Sequence, residues 1–147
     1  ALRFSSELRQ IDKGTIHRVY SEGPGNFEIY SIHQIEPIVA LMETPAEKVM
    51  FLGDSKHPSM VISFADGRQA EMHQCGGLSF RLVPVDAENS ATAFAVKSDF
   101  FGNFIDNMLE FFETGIVPVP HEQTVQVIAI REAGLKAMEK PFTWVNV

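Results

Sequence analysis

The residues best suited to moving a proton lie in one short stretch, Tyr30-Ser31-Ile32-His33-Gln34-Ile35-Glu36. An imidazole titrates near neutrality, so His33 could take a proton from a hydroxyl at physiological pH and return it. Glu36, three residues on, falls near the same face if the stretch is helical, where it would orient the ring or raise its basicity. Each residue also has a plainer reading. A histidine at the start of a helix is often a satisfied structural residue, and an acid in a first turn is favoured by the helix dipole alone. Glu28 and Tyr30 flank the same turn. They could hydrogen-bond the hydroxyls of a ligand, or be an exposed loop acid and a half-buried phenol.

Other chemistries find little support. His17, His57, His73 and His121 show no metal-ligand spacing such as H-x-x-x-H, and Cys75 is the only cysteine, so no metal site and no intrachain disulfide is expected. A lone cysteine suits a reducing, cytoplasmic compartment. No G-x-S-x-G elbow is present for a serine nucleophile. The formal charge of -7, with no local Lys/Arg cluster in the sequence, argues against nucleic acid and acidic membranes as partners. No apolar run approaches the roughly 18 to 20 residues needed to span a bilayer.

The remaining residues must position the His33 stretch. At 147 residues, 45% hydrophobic and 21% charged, the chain suits one packed domain, and twelve Phe can fill its core. Residues 5–13 read as a short helical turn, and 15–20 as a strand closed by Gly23-Pro24-Gly25. Residues 30–42 carry a helical apolar pattern with Pro37 inside it, which fits a first turn or a kink and puts the helix start near Gln34. Five strand candidates follow at 49–52, 60–64, 69–74, 78–83 and 92–96, an order that implies antiparallel pairing. Asp66-Gly67 reads as a two-residue hairpin turn, since it tolerates positive φ. That turn puts Met60, Ile62 and Phe64 on one face with Gln69, Glu71 and His73, and Val61, Ser63 and Ala65 on the other with Arg68, Ala70 and Met72.

Two helices are predicted next. One spans 99–114, with Phe101, Phe104, Ile105, Met108 and Phe112 at spacings of three and four and Gly115 as its C-cap. The other spans 121–139, opened by Pro118 and Pro120, with small residues at Ala133, Gly134 and Ala137 that admit a close neighbour. A last strand covers 142–147. The expected fold is α+β: an open, mostly antiparallel β-sheet with helices packed on one face. The face bearing Met60, Ile62, Phe64 and His73 is too apolar to stand in water, which points to a homodimer or tetramer through it.

Four stretches resemble the C-terminal domain of the Gfo/Idh/MocA oxidoreductases. Ala1-Leu2-Arg3-Phe4-Ser5 is similar to the Arg-aromatic segment after the last Rossmann strand, and Gly14-Thr15-Ile16 to the glycine that opens the first sheet strand. Tyr30 to Glu36 resembles the helix start in which a histidine is followed three places later by an acid. Phe112-Glu113-Thr114-Gly115, Pro118-Val119-Pro120 and Arg131-Glu132-Ala133 resemble the closing helix pair. The resemblance covers nearly the whole chain.

It implies that residues 1–147 are the substrate-binding and oligomerisation domain of a two-domain dehydrogenase of a sugar, inositol or related polyol. An N-terminal Rossmann domain is expected outside this chain, which begins without an initiator Met, and NAD or NADP would be bound mainly there. The isolated domain is expected to be inactive. His33 would be the catalytic residue, with Arg3, Glu28, Tyr30 and Glu36 on the substrate side; Arg3 could equally form a salt bridge at the domain interface. Two features depart from the family pattern. Many members have an aspartate four residues before the histidine, where Ile29 stands here with Glu28 beside it, and no G-x-G-x-x-G follows a strand. Glu139-Lys140-Pro141 spells the family's catalytic triplet but follows the last helix, where it reads as punctuation. The alternative to the enzyme is a non-catalytic, sheet-based binding and oligomerisation module.

Overall fold

The computed structural model describes residues 1–147. Three 3-10 turns, Leu2–Phe4, Leu8–Gln10 and Lys13–Thr15, lead into strand β1 (Ile16–Gly23) and helix α1 (Phe27–Met42). Strands β2 (Ala46–Leu52), β3 (Ser59–Phe64), β4 (Gln69–Gln74), β5 (Arg81–Asp86) and β6 (Phe94–Ala95) follow. Helices α2 (Phe100–Thr114) and α3 (His121–Met138) and strand β7 (Trp144–Asn146) complete the chain. The seven strands form one open sheet in the order β6-β5-β1-β4-β3-β2-β7. The class is α+β, and the sheet is mostly antiparallel as predicted.

One pairing departs from that expectation: β1 and β4 run parallel. The cause is α1, which carries the chain from the end of β1 across the sheet to β2. The β2-β3-β4 meander then returns with β4 pointing the same way as β1. β5 consequently pairs with β1 rather than with β4. It also starts later than the apolar pattern suggests, because Cys75 to Leu78 is spent in a turn closed by the Leu78 amide on the Cys75 carbonyl.

The β3-β4 hairpin corrects the predicted register. Its turn holds three residues, 65–67, with Gly67 at φ 85° and the Phe64 amide donating to the Arg68 carbonyl at 3.0 Å. Asp66 fixes the turn by accepting from the Arg68 amide and guanidinium. The ladder therefore pairs Met60 with Met72 and Ile62 with Ala70, one residue away from the two-residue register. A slip of one exchanges the faces. Met60, Ile62 and Phe64 join Ala70 and Met72 in the core, and the apolar assembly face expected from them does not exist. Ser59, Val61 and Ser63 share the open face with Gln69, Glu71 and His73. Across the sheet that face reads Val83, Tyr20, Glu71, Val61, Met50 and Trp144, a mixed polar and apolar row.

α1 begins two turns before the predicted Gln34. Asn26 caps it, its side chain accepting from the Ile29 amide at 3.0 Å, and Pro37 lies in mid-helix rather than in the first turn. Having no N–H, Pro37 leaves the His33 carbonyl without the usual helical donor. α3 approaches as closely as its small residues foretell: a Cβ on Gly134 would stand 2.5 Å from Phe27 Cζ and 2.9 Å from Met60 Sδ. Ala133 and Ala137 are buried beside it. α1 and α3 thus cover one face of the sheet. α2 ends at Gly115 in the left-handed conformation, as predicted, but buries no residue of its own.

Candidate functional site

Ile32, His33 and Glu36 lie on the half-buried flank of α1, beside its fully buried sheet side. They line a pocket of about 200 Å³, closed by Ala1 and Arg3 from the first 3-10 turn and by Val119, Gln123, Thr124, Val127 and Ile128 from α3 and its approach. The predicted residues His33, Arg3 and Glu36 are therefore brought together, although Arg3 and His33 lie 30 positions apart in sequence.

The half-buried His33 ring stands edge-on to Tyr30 and to Phe80, with centroids 5.9 Å from each. Burial pushes its pKa below the ordinary value of 6.5, while Glu36 opposes the shift. The shift favours the neutral imidazole, the form that can accept a proton.

Glu36 does not hydrogen-bond the ring. Its Oε2 accepts from the Ala1 main-chain nitrogen at 2.9 Å, and its Oε1 lies 3.6 Å from Arg3 Nε. The Arg3 side chain is only 6% exposed. Its Nη2 donates to Gln123 Oε1 at 2.9 Å and to the Glu36 carbonyl at 3.5 Å, and desolvation lowers its pKa against the pull of Glu36. A charged group so deeply desolvated is costly unless held by partners, and here they come from both α1 and α3.

Tyr30 joins the site only through its ring edge on His33 and is otherwise part-exposed. Glu28 does not reach the pocket. Five residues from His33, it projects from another side of the helix, and its carbonyl accepts from Arg131 Nη2 at 2.7 Å. Its carboxylate lies in the first turn of α1, where the helix dipole favours it. Sequence reasoning missed Gln123, Thr124 and Phe80. Only the position of Gln123, in the first turn after Pro120, hints at the first of these.

The junction between β1 and α1 does not form a dinucleotide cradle. A Cβ on Gly25 would stand 2.3 Å from the Tyr30 ring, so this glycine makes room for Tyr30, and the Ile29 amide is already taken by Asn26. No three His, Cys, Asp or Glu side chains gather to hold a metal ion. Glu139-Lys140-Pro141 forms the turn between α3 and β7, away from the pocket. No helix is long and apolar enough to cross a membrane.

No protein-family model and no curated protein sequence matches the chain. Solved structures do. A protein from Sinorhizobium meliloti 1021 assigned as a myo-inositol dehydrogenase superposes with a TM-score of 0.82 at 12% identity, over 99% of this chain and 63% of its own. The scyllo-inositol dehydrogenase of Lactobacillus casei, solved with NAD(H) and scyllo-inositol bound, gives 0.77 at 15% identity, over 98% of this chain and 62% of its own. The myo-inositol 2-dehydrogenase of Lactobacillus plantarum gives 0.75 at 12% identity, over 99% and 62%. This chain thus shares the fold of these structures while spanning about three fifths of their length.

Proposed function

We propose that the chain is the substrate-side, C-terminal domain of an NAD(P)-dependent oxidoreductase that acts on a CH–OH group of a sugar, inositol or related polyol. The observation that carries this reading is the His33 imidazole set beside Arg3 and Glu36 in an open pocket of about 200 Å³. A nicotinamide cofactor, when bound, would supply the hydride acceptor for the carbinol carbon. This chain's part is the hydroxyl proton, which passes to the imidazole as the C–O bond gains double-bond character. Arg3, braced by Gln123, orients substrate oxygens; Tyr30 and Phe80 fix the ring plane. The dinucleotide belongs to a separate N-terminal Rossmann domain, because no glycine-rich strand-to-helix turn of the required form exists here.

The test is hydride transfer by the two-domain protein against a polyol panel. His33→Ala should lower kcat by about 10²- to 10⁴-fold with the fold intact. Unchanged turnover would remove His33 from the mechanism.

Self-association belongs, in the same reading, to the open sheet face, which no helix covers and where Val83, Val61 and Met50 are half-buried among polar neighbours. Sedimentation should find a dimer or tetramer. A monomer at high concentration would withdraw this surface.

A further inference from the structure

Beyond Arg3 and Gln123, which line both spaces, the His33 pocket adjoins a second and larger open cleft of about 350 Å³. Its charged residues are Arg3, Arg9, Lys13 and Glu43. In a chain of formal charge -7, three cations against one acid reverse the local sign. The sequence conceals this cluster, because Arg3, Arg9 and Lys13 come from three successive 3-10 segments and converge only when these wrap the end of α1.

Not all of that positive charge is spent. Lys13 Nζ sits 2.7 Å from Glu43 Oε1, but both side chains are exposed and the pair is readily opened. Arg9 is exposed and forms no ion pair. The Arg3 side chain is more than nine-tenths buried; its Nε is enclosed and faces Glu36, while its Nη1 forms no hydrogen bond within the chain. Glu36, 3.6 Å from that Nε, offsets the charge without accepting the bond. A buried guanidinium N–H is rarely left unmet, and its planar fork matches a phosphate or carboxylate.

We propose that this cleft binds the anionic group of a substrate whose hydroxyl-bearing carbon lies at His33, so that the substrate class is a phosphorylated or carboxylated sugar rather than a neutral polyol. The placement of the carbinol rests on the proposed function; the anion site itself rests only on the cleft.

Titrating the 147-residue chain with inorganic phosphate, followed by amide NMR shifts, separates the two. Saturable binding with shifts at residues 3, 9 and 13 is expected. Arg9→Gln, which removes an exposed side chain and leaves the fold untouched, should weaken binding about fivefold. His33→Asn should leave phosphate affinity unchanged, so the anion site survives even if the proton-transfer role fails. A hexose 6-phosphate should compete with phosphate and bind about tenfold more tightly, because it reaches both spaces. The proposal is overturned by absence of saturable phosphate binding, by an Arg9→Gln variant that binds like the parent, or by a neutral hexose that binds as well as its phosphate ester. NADPH displacing phosphate better than the sugar phosphate would also overturn it, assigning the cleft to the cofactor.

Discussion

Helices α1 and α2 are both rich in large apolar side chains and are used in opposite ways. Ten of the sixteen residues of α1 are buried, with Ile35 and Ile38 fully so, whereas α2 buries none and leaves Phe101 60% and Phe112 71% exposed. The sheet needs only α1 and α3 to cover its inner face. α2 hangs outside, tied at its root by Phe104 against Phe4 and by Asn103 Nδ2 donating to the Phe4 carbonyl at 3.0 Å. The comparison separates two duties. α1 is a rigid mount, fixed on its sheet side and presenting His33 on its flank, and rigid elements hold reacting groups best. α2 contributes surface rather than stability.

Substitutions can break that contrast. The largest effect belongs to α1: Ile38→Ala should cost about 2–5 kcal/mol in chemical denaturation, since it empties a fully buried site. A loss below about 1 kcal/mol would mean that α1 is not the mount described. Gly134→Ala should cost about 1–3 kcal/mol by forcing Phe27 and Met60 apart at the α1–α3 contact.

Glu7 gives a smaller effect. Burial raises its pKa, but hydrogen bonds from the Ser98 hydroxyl and the Lys97 and Ser98 amides outweigh this and bring it to about 2. Because the folded value lies below the unfolded one, its contribution is present above pH 4.5 and is lost as pH falls through about 2. Glu7→Gln should remove that acid dependence from the denaturation profile and cost no more than about 1 kcal/mol, given the solvent around the group. The smallest change is expected on α2, where Phe112→Ser should alter stability by less than about 0.5 kcal/mol in this chain. A large destabilisation there would erase the distinction between the helices.

Elements with strong local signals were legible in the sequence. α2 has a regular apolar spacing and a glycine C-cap, and α3 has prolines before it and small residues within it, so both were placed nearly to the residue. α1 was placed late because Pro37 reads as a start signal, while Asn26, a single capping side chain, carries the true one. The hairpin register failed on a count of one, since Asp-Gly serves two-residue and three-residue turns alike and the tertiary core decides between them. The parallel β1-β4 pair depends on the path of α1, which no local pattern encodes.

In the site, His33 and Glu36 were legible as neighbours on one helix, and Arg3 through the family resemblance. Gln123 and Phe80 were not, because their proximity to Arg3 and His33 is created only by the packing of α3 and by the segment before β5. Glu28 stands on another side of the helix from His33 because α1 begins at Phe27, whereas a start near Gln34 would have left it in a loop.

The most direct measurement is the titration of the His33 ring by NMR in this chain. Burial disfavours the imidazolium, so the ring should titrate below 6.5 and be neutral near pH 7. A value above 6.5 would contradict the burial of the ring, and one above about 8 would make it a cation near pH 7 that cannot take a hydroxyl proton.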